Sequence, residues 1–299
     1  MPAAFRSFFV RIHEAFQKHR ILRILRIPLL VLLVLFLLYL IVPRFLPTRT
    51  YLIMGMDNYG SLDDVGRSDA MMLVTVDNRH GKIRVFSLAR DTLLTTSAYR
   101  ETKVNTIVRQ DGEDALSAAI SEAFGVPISG WFRLNFSSLV SIIDRLQGVD
   151  VDLTEAEVQY INREAGYYPG YPLKEGVSRM NGAQSLCFAR CRHLDNDLGR
   201  GQRQTRLMSA VVARTKRIGL ISALSLFDEM NHAWRTSLHP AEEILLILRV
   251  LPLRRHAVER YSLPFEGTWK YGKSRQGVDG ILADQEANAA QLRSLLDLH

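Results

Sequence analysis

An uncharged run of sixteen residues near the N-terminus limits what this chain can fold into more than any other feature. The run, IPLLVLLVLFLLYLIV, extends from Ile27 to Val42. It is apolar on every side, whereas a helix in the core of a soluble domain normally keeps a polar stripe. A spanning helix needs ~20 apolar residues, and the run lengthens if Arg23 and Arg26 extend toward the lipid headgroups. We therefore predict a transmembrane helix over residues 27–43.

The sequence on either side of this run sets its orientation. Residues 1–26 carry six basic side chains and one acidic side chain, and positively charged flanks stay in the cytoplasm. The following sequence, PRFLPTRTY, lacks the small residues of a signal-peptide cleavage site. We predict an uncleaved, single-pass signal-anchor in the cell membrane. It joins a basic cytoplasmic arm (1–26) through a linker (44–50) to an extracytoplasmic domain (51–299).

The formal net charge of +7 does not describe that outer domain. Residues 51–299 contain 30 basic and 30 acidic side chains, so the surplus lies in the first 50 residues. A neutral domain outside the cytoplasm lacks the basic face that nucleic acid requires, and we predict no nucleic-acid partner. The two cysteines also exclude a disulfide-stapled scaffold and a cysteine-rich zinc module.

Periodicity in the outer domain predicts interleaved strands and helices. Residues 71–77 and 82–88 flank a four-residue turn, which predicts a β-hairpin with Gly81 at positive φ. The other predicted strands are 51–56, 131–136, 149–153, 258–263 and 268–272. The predicted helices are 114–125, 137–148 with serine caps, 154–166 with a capping box at Thr154, 181–190, helical segments from about 200 to 251, and 283–297. Residues 167–180 are predicted to form a loop. The order indicates a single α/β domain.

Two carboxylates frame one loop between predicted strands. Asp57 follows a buried strand, and Asp69 lies where the next strand begins. Ordinary loop polarity would explain either residue alone. Together they offer what Mg²⁺ usually takes from a protein, one or two carboxylates beside phosphate oxygens and water. We predict a divalent-cation site here.

Two further groups carry positive charge. Arg90 and Asp91 directly follow the second hairpin strand, where a simple surface ion pair is a fair alternative. Five arginines then fall within 17 residues, at 190, 192, 200, 203 and 206. On a helix, Arg200, Arg203 and Gln204 share one face. Arginine suits bidentate binding of phosphate oxygens, whereas a basic helix face that only contacts solvent would also contain lysine.

These motifs resemble the LytR-CpsA-Psr (LCP) family, which attaches glycopolymers to the bacterial cell wall. The matching strings occur in the family's order and cover about residues 51–216, the motif-bearing core. They are YLIMGMD, GRSDAMMLVTVD, KIRVFSLARDT, KVN, GVPISGWFRLNF, LVSIIDRLQGVDVDL, MNGAQSLCFARCR and DNDLGRGQRQ. Each string alone is weak, but the ordered set is specific. The resemblance implies a mixed central β-sheet flanked by helices.

The resemblance also implies an Mg-dependent phosphotransferase, a wall ligase. Such an enzyme moves a glycopolymer, for example teichoic acid or capsule, from a polyprenyl diphosphate carrier to a peptidoglycan sugar hydroxyl. By this resemblance Asp57 and Asp69 hold Mg²⁺, which Mn²⁺ can replace. The residues matching diphosphate contacts are Arg67, Arg90, Arg190, Arg192, Arg200 and Gln204. Those matching catalytic positions are Arg67, Asp69, Arg90 and Arg200. The polyprenyl tail is expected in an apolar tunnel between sheet and helices.

Several alternatives stay open at this level. The general base is Asp91 or Asp197, or both only orient neighbouring arginines. A non-catalytic, membrane-anchored binder of lipid diphosphates would need neither Asp57 nor Asp69. A polyprenyl-diphosphate pyrophosphatase would use the same site with water as acceptor. A transcriptional regulator is excluded, because there is no helix-turn-helix signal and no cytoplasmic domain of sufficient size.

Asn58 and Tyr59 follow Asp57 where many family members carry an arginine, so one phosphate contact is missing or replaced. Cys187 and Cys191 stand where the family usually has other small or polar residues. If both are helical, their Cβ atoms are too far apart for a disulfide, and we predict free thiols unless the helix ends between them. The loop tyrosines either stack on sugars or fold down on the surface; they are Tyr167, Tyr168 and Tyr171.

Overall fold

The computed structural model describes residues 28–34, 37, 41, 45–56, 68–191, 194, 197–215, 217–218, 233–253 and 256–297. The chain forms two compact units, Met1–Leu46 and Pro47–His299. In the first unit, residues 28–34, 37 and 41 are helical, and their apolar side chains are exposed. None of the described helices is both long enough and apolar enough to cross a bilayer. The basic arm at 1–26 and the rest of the predicted spanning segment lie outside the described residues.

A six-stranded mixed sheet forms the centre of the second unit. Its order is β10-β3-β2-β1-β6-β9. The strands are β1 (Arg49–Met56), β2 (Ser68–Asp77), β3 (Lys82–Leu88), β6 (Ile128–Leu134), β9 (Arg235–Thr236) and β10 (Val258–Leu263). The β1–β6 and β3–β10 pairs are parallel, and the other pairs are antiparallel. This confirms the predicted mixed α/β fold.

The predicted hairpin is formed by β2 and β3. Asp77 pairs with Lys82 across the turn, and Gly81 adopts a φ of +70°. A residue with a Cβ is strained in that conformation, so glycine is required by the turn itself. Local turn chemistry therefore determined this part of the fold.

Two smaller sheets flank the central one. A four-stranded sheet has the order β11-β12-β4-β5, and β7 pairs with β8. The strands of these two smaller sheets are β4 (Thr92–Leu94), β5 (Thr102–Lys103), β7 (Val149–Leu153), β8 (Gly176–Met180), β11 (Trp269–Lys273) and β12 (Asp279–Ala283). The prediction of a continuous loop over 167–180 was wrong, because Gly176–Met180 pairs antiparallel with β7. Its alternation extends over only five residues, too few to stand out beside the preceding Tyr-Pro-Gly segment.

The helices correct two predicted boundaries. They are α1 (Val104–Phe124), α2 (Phe136–Arg145), α3 (Glu155–Glu164), α4 (Gly182–Arg190), α5 (Asp197–Thr215), α6 (Pro240–Val250) and α7 (Gln285–Leu296). α1 begins ten residues before the predicted start, because the helix continues through a kink at Gly112. α2 is capped by Asn135, whose side chain accepts the Ser138 N–H, and not by serine. The predicted capping box of Thr154 and Glu157 is confirmed at α3.

Helices cover both faces of the central sheet. Phe86 and Leu52 belong to a core shared with α1 and α7. Val74 and Val85 belong to a second core, against which Met208 of α5 packs. A third core joins β7 and β8 to α2, α3, α4 and α5. The helix α5 thus packs against two cores, and this placement fixes it beside the central sheet.

Two helical glycines should respond in opposite ways to alanine. At Gly182 an added Cβ would lie 2.6 Å from the Val140 carbonyl oxygen and 2.8 Å from Asp144 Oδ2. At Gly201 it would meet no atom within 4 Å. We expect Gly182→Ala to lower the free energy of unfolding by ~1–3 kcal/mol through forced separation of α2 and α4. Gly201→Ala should raise it by ~0.5–1 kcal/mol through helix propensity. Urea unfolding of the detergent-solubilised chain measures both, and equal effects would contradict this packing.

Candidate functional site

The strand pairing brings four chain segments to one edge of the central sheet, which we call the site edge. Met56 at the end of β1 pairs with Ser68 at the start of β2. Leu88 at the end of β3 pairs with Met71, and β6 ends at Leu134, the partner of Gly55. The C-terminal ends of β1, β3 and β6 and the N-terminal end of β2 therefore meet here. Of the sequence-predicted residues, Asp69 lies at the start of β2 and Arg90 lies two residues after the end of β3.

Of the two predicted cation ligands, the structure describes only the backbone of Asp69. Asp57 directly follows Met56 but lies outside the described residues, as does Arg67. Gly55 pairs with Ala70 and Met56 with Ser68, so Asp69 is the extra residue of a β-bulge. Bulges are frequent next to functional sites. The bulge thus places the Asp69 backbone at the start of β2, beside the end of β1.

An apolar cavity of about 60 Å³ opens beside the site edge. Strands β1 and β2 and helices α2, α4 and α5 supply its walls. Its lining side chains include Ile53, Met56, Met72, Leu134, Leu139, Leu207 and Met208. Two predicted phosphate contacts, Arg200 and Gln204, also line it. A guanidinium at the wall of an apolar cavity is suited to a ligand with an anionic head and an apolar tail.

Arg190 contacts the ring of Phe136, a residue of the cavity wall. Its guanidinium carbon lies 4.9 Å from the centre of the Phe136 ring, and Phe136 lines the cavity. A cation over an aromatic face is held in orientation by the ring quadrupole. The sequence did not identify Phe136 or the cavity-lining Asn135. The signal available was their position directly after β6, at the site edge.

Arg90 and Asp91, which follow β3, make contacts that hold the local structure in place. Asp91 Oδ2 lies 3.8 Å from Arg90 Nε, and Asp91 Oδ1 accepts a hydrogen bond from Lys103 Nζ at 3.2 Å. The Asp91 main-chain oxygen accepts the Ile281 N–H at 2.9 Å. These contacts favour the alternative in which Asp91 orients its neighbours. Lys103 was part of a matching motif but was not assigned a role.

Two arginines of the dense run serve the packing of α5. Arg203 donates from Nη2 to the Cys191 carbonyl oxygen at 2.7 Å, and Arg206 donates to Glu157 Oε2 at 2.6 Å. The expectation that Arg203 shares a functional face with Arg200 and Gln204 is corrected, because Arg203 is buried toward α3 and does not line the cavity. Helical spacing alone cannot distinguish these directions. Arg192 and the side chains of Asp69 and Asp197 lie outside the described residues.

The two cysteines are free thiols in the structure. The helix α4 ends at Arg190, and Cys191 is its non-helical C-cap, so the helical geometry assumed for the pair does not hold. Cys191 is buried, and burial raises the pKa of the Cys187 thiol to about 11, with Cys191 and Glu164 adding to the effect. Neither thiol lies among the cavity-lining residues.

Cys187 should react slowly with alkylating agents. Only the thiolate is nucleophilic, and a pKa of about 11 leaves ~100-fold less thiolate at pH 7 than an ordinary thiol with a pKa of 9. We expect iodoacetamide labelling of Cys187 in the native chain to be slower by about that factor than labelling after unfolding, and to accelerate up to pH 11. Mass spectrometry of time points gives the rate, with Cys191→Ala isolating the site. Equal native and unfolded rates would contradict the burial effect.

The loop tyrosines differ in their surroundings. Tyr167 is exposed. Tyr171 packs beside Gly148, and its carbonyl oxygen accepts a hydrogen bond from the Gln184 side chain. Tyr168 accepts the Tyr171 N–H through its main-chain oxygen. The segment is therefore folded down on α4 at Tyr171.

The described residues form an α/β protein in which strand ends lie beside an apolar cavity lined by Arg200 and Gln204. Residues 48–292 match the sequence profile of the LytR_cpsA_psr family. Because the match covers most of the chain, this protein belongs to that family.

One relative and two solved structures illustrate the relationship. The polyisoprenyl-teichoic acid–peptidoglycan teichoic acid transferase TagV of Bacillus subtilis (strain 168) is 26% identical over 185 residues, which is 60% of this chain and 46% of TagV. The chain spans about half the length of the relatives it matches. The structure of TagT bound to LIIa-WTA superposes with a TM-score of 0.68 at 23% identity, covering 85% of this chain and 91% of TagT. YwtF (TagT) with bound octaprenyl pyrophosphate lipid gives 0.64 at 21%, covering 86% and 92%. These structures establish the fold.

Proposed function

We propose that this protein is a phosphotransferase that moves a glycopolymer from a polyprenyl diphosphate carrier to a peptidoglycan sugar hydroxyl. One observation carries the proposal: the apolar cavity is lined at one place by Arg200 and Gln204. At about 60 Å³ the cavity is too small for a whole polyprenyl chain, and it does not reach the size of the tunnel expected from the sequence. Its apolar wall suits the part of the chain next to the anionic head, and the guanidinium suits the diphosphate. The naming of TagV as a teichoic acid transferase and of a TagT structure with octaprenyl pyrophosphate supports the same reading.

The reaction is a displacement at phosphorus. The acceptor hydroxyl oxygen forms a bond to the phosphorus that bears the glycopolymer, and the bond from that phosphorus to the bridging oxygen breaks. Polyprenyl phosphate leaves with the electron pair, and the hydroxyl proton passes to a base. Arg90, Arg190 and Arg200 neutralise charge on the phosphate oxygens, which is the main requirement of such a transfer. Asp91 holds Arg90 and Lys103 in place.

We propose Asp57 and Asp69 as the residues that would hold Mg²⁺. A bound Mg²⁺ would supply charge neutralisation at the diphosphate. The support is the pairing of the strand ends beside them and the small residues there. A Cβ added at Gly55 would lie 3.1 Å from the Ala70 Cβ, so the two strands approach closely at this point.

We also propose a membrane anchor at residues 27–43, with the domain outside the cytoplasm. The support is the uncharged run and the basic arm before it. The exposed Leu29, Leu30 and Leu32 of the helical segment agree with a lipid environment. A polyprenyl-linked donor resides in the same membrane, so an anchored enzyme would meet its substrate there.

Transfer can be tested with the full chain in proteoliposomes. The assay supplies a polyprenyl diphosphate-linked saccharide, Mg²⁺ and peptidoglycan oligomers, and detects a phosphodiester-linked product. We expect product with the wild-type chain, none after chelation with EDTA until Mg²⁺ is restored, and none with Asp69→Ala or Arg90→Ala. Arg163→Ala, at an exposed site on α3, is the matched control and should retain activity.

Two other outcomes would replace the proposal. Tight donor binding with unchanged donor would identify a non-catalytic binder. Release of saccharide phosphate without linkage would identify a pyrophosphatase, with water as the acceptor.

A further inference from the structure

The strand β11 presents two large aromatic side chains to solvent at the edge of the four-stranded sheet. Trp269 is 38% exposed and Tyr271 is 64% exposed. They are two residues apart on one strand, so both lie on the same face, ~7 Å from each other. Fully packed strands bury such residues, and exposed aromatic pairs commonly mark binding surfaces.

Basic residues continue this surface. Lys273 ends β11, and Arg275 lies in the turn that follows it. At this end of the strand one acidic residue, Asp279, pairs with Lys273 across the β11–β12 ladder. Lys273 and Arg275 therefore leave one net positive charge there, whereas Lys270 points to the opposite face of β11. We call Trp269, Tyr271, Lys273 and Arg275 the β11 strip.

The sheet places this strip beside the site edge. Tyr271 pairs with Ile281, and Ile281 pairs with Thr92, so these residues form one row across three strands. Two strand spacings are ~10 Å, and Thr92 follows Arg90 and Asp91 directly. Lys273 pairs with Asp279, two residues before Ile281, so the Lys273 end of the strip is level with Arg90. The Trp269 end lies farther along the sheet, away from Arg90.

The connection between strip and site is rigid. The Ile281 N–H donates to the Asp91 carbonyl oxygen at 2.9 Å. A Cβ at Gly280 would lie 2.7 Å from that same oxygen, so β12 approaches the Arg90–Asp91 backbone as closely as glycine allows. A molecule bound on the strip has a fixed position relative to Arg90.

We propose that the β11 strip binds the acceptor, an anionic glycan strand such as peptidoglycan, and presents its hydroxyl to the phosphorus held at Arg90. The inference rests on the proposed function and adds the place of the acceptor. Sugar rings pack their C–H faces on aromatic rings, and the spacing of Trp269 and Tyr271 lets neighbouring sugars of one strand contact both. Lys273 and Arg275 complement the carboxylates of such a polymer.

The position also separates acceptor from donor. The apolar cavity lies at β1, β2, α2, α4 and α5. Ile53 and Met72 of the cavity pack in the core on the α5 face of the central sheet. Leu94 of β4, the strand that leads to the strip, packs in the core on the α1 face. Two substrates that approach the site edge from opposite sides can meet there without competing for one surface.

The test measures acceptor binding without donor, with the detergent-solubilised full chain and purified peptidoglycan sacculi stripped of attached polymers. We expect the double variant Trp269→Ala/Tyr271→Ala to bind about tenfold more weakly, as for the loss of aromatic anchors in an interface. In the transfer assay its KM for the acceptor should rise by a similar factor while donor binding stays unchanged. Trp269→Phe/Tyr271→Phe should retain most binding.

The controls keep the inference falsifiable. Val177→Ala truncates an equally exposed apolar side chain outside the strip and should bind as the wild type does. Lys273→Ala/Arg275→Ala should bind several-fold more weakly at low salt. Wild-type binding by both strip variants would overturn the inference. If acceptor binding depends on the strip but the wild-type chain shows no transfer, the result contradicts only the proposed function.

A bilayer is the competing occupant, because tryptophan, tyrosine and lysine also favour membrane interfaces. Brominated phospholipids distinguish the two. We expect no difference in tryptophan quenching between wild type and Trp269→Phe in proteoliposomes. Quenching that disappears in Trp269→Phe would place the strip at the bilayer and overturn the glycan assignment.

Discussion

Replacing Arg200 with alanine should lower kcat/KM for transfer by about 10²–10³-fold, the usual cost of removing one preorganised donor to a developing charge. Arg200 is 4% exposed and lines the apolar cavity together with Gln204. Its charge acts there in a low-dielectric setting, where it is worth more than at the surface. The measurement is initial rates of phosphodiester formation over a range of donor concentrations.

Two further variants identify the cause of the loss. Arg200→Lys keeps the charge but not the planar fork of donors, and its activity should lie between those of wild type and Arg200→Ala. Arg217→Ala removes an exposed guanidinium beyond the other end of α5 and should leave kcat/KM unchanged. Activity of Arg200→Ala within twofold of wild type would place the reacting phosphate elsewhere.

Short-range chemistry made much of the fold predictable. The β2–β3 hairpin follows from Gly81 and flanking alternation, and α3 follows from the Thr154 capping box. Both signals lie within a few residues of the element that they specify. The missed elements depend on distant partners: β4 has three residues and pairs with β12, some 190 positions later. Such short strands have no periodicity of their own.

The candidate site was predictable where it depends on strand ends. Asp69 and Arg90 were identified because they border buried strands, and the pairing of β2 with β3 brings their segments to one edge. Phe136 was missed because an aromatic residue at a helix start usually indicates core packing. Its contact with Arg190 joins residues 54 positions apart, and only tertiary structure can bring them together.

The arginine run shows the limit of composition as a guide. Arginine density pointed to the segment that forms α5, but it could not separate Arg200, which lines the cavity, from Arg203 and Arg206. Their partner Glu157 lies on α3, which packs against a different face of α5. One face of this helix therefore lines the cavity, and another anchors the helix to α3 and β7. Variants on the two faces should separate activity from stability.

The second large effect is expected at that anchoring face. Glu157 is 5% exposed. Its carboxylate accepts hydrogen bonds from Arg206 Nη2 at 2.6 Å and from the Thr154 N–H at 3.0 Å. Arg203, which is also buried, lies 4.0 Å from its other oxygen. One side chain thus closes a helix cap and neutralises two arginines.

Glu157→Ala should lower the free energy of unfolding by ~3–5 kcal/mol, because it leaves buried positive charge without its counterion and removes half of a capping box. Chemical unfolding of the full chain in detergent measures the loss, and Glu155→Ala, at an exposed site in the first turn of the same helix, should cost less than ~0.5 kcal/mol. A double-mutant cycle with Arg206→Ala should show that the two losses are strongly non-additive. Additive losses would mean that Glu157 acts only as a cap, and α5 would then be held in place by its apolar contacts alone. Non-additive losses would establish that the charge on α3 fixes the helix that carries Arg200, so that the position of a site arginine depends on a carboxylate outside the site.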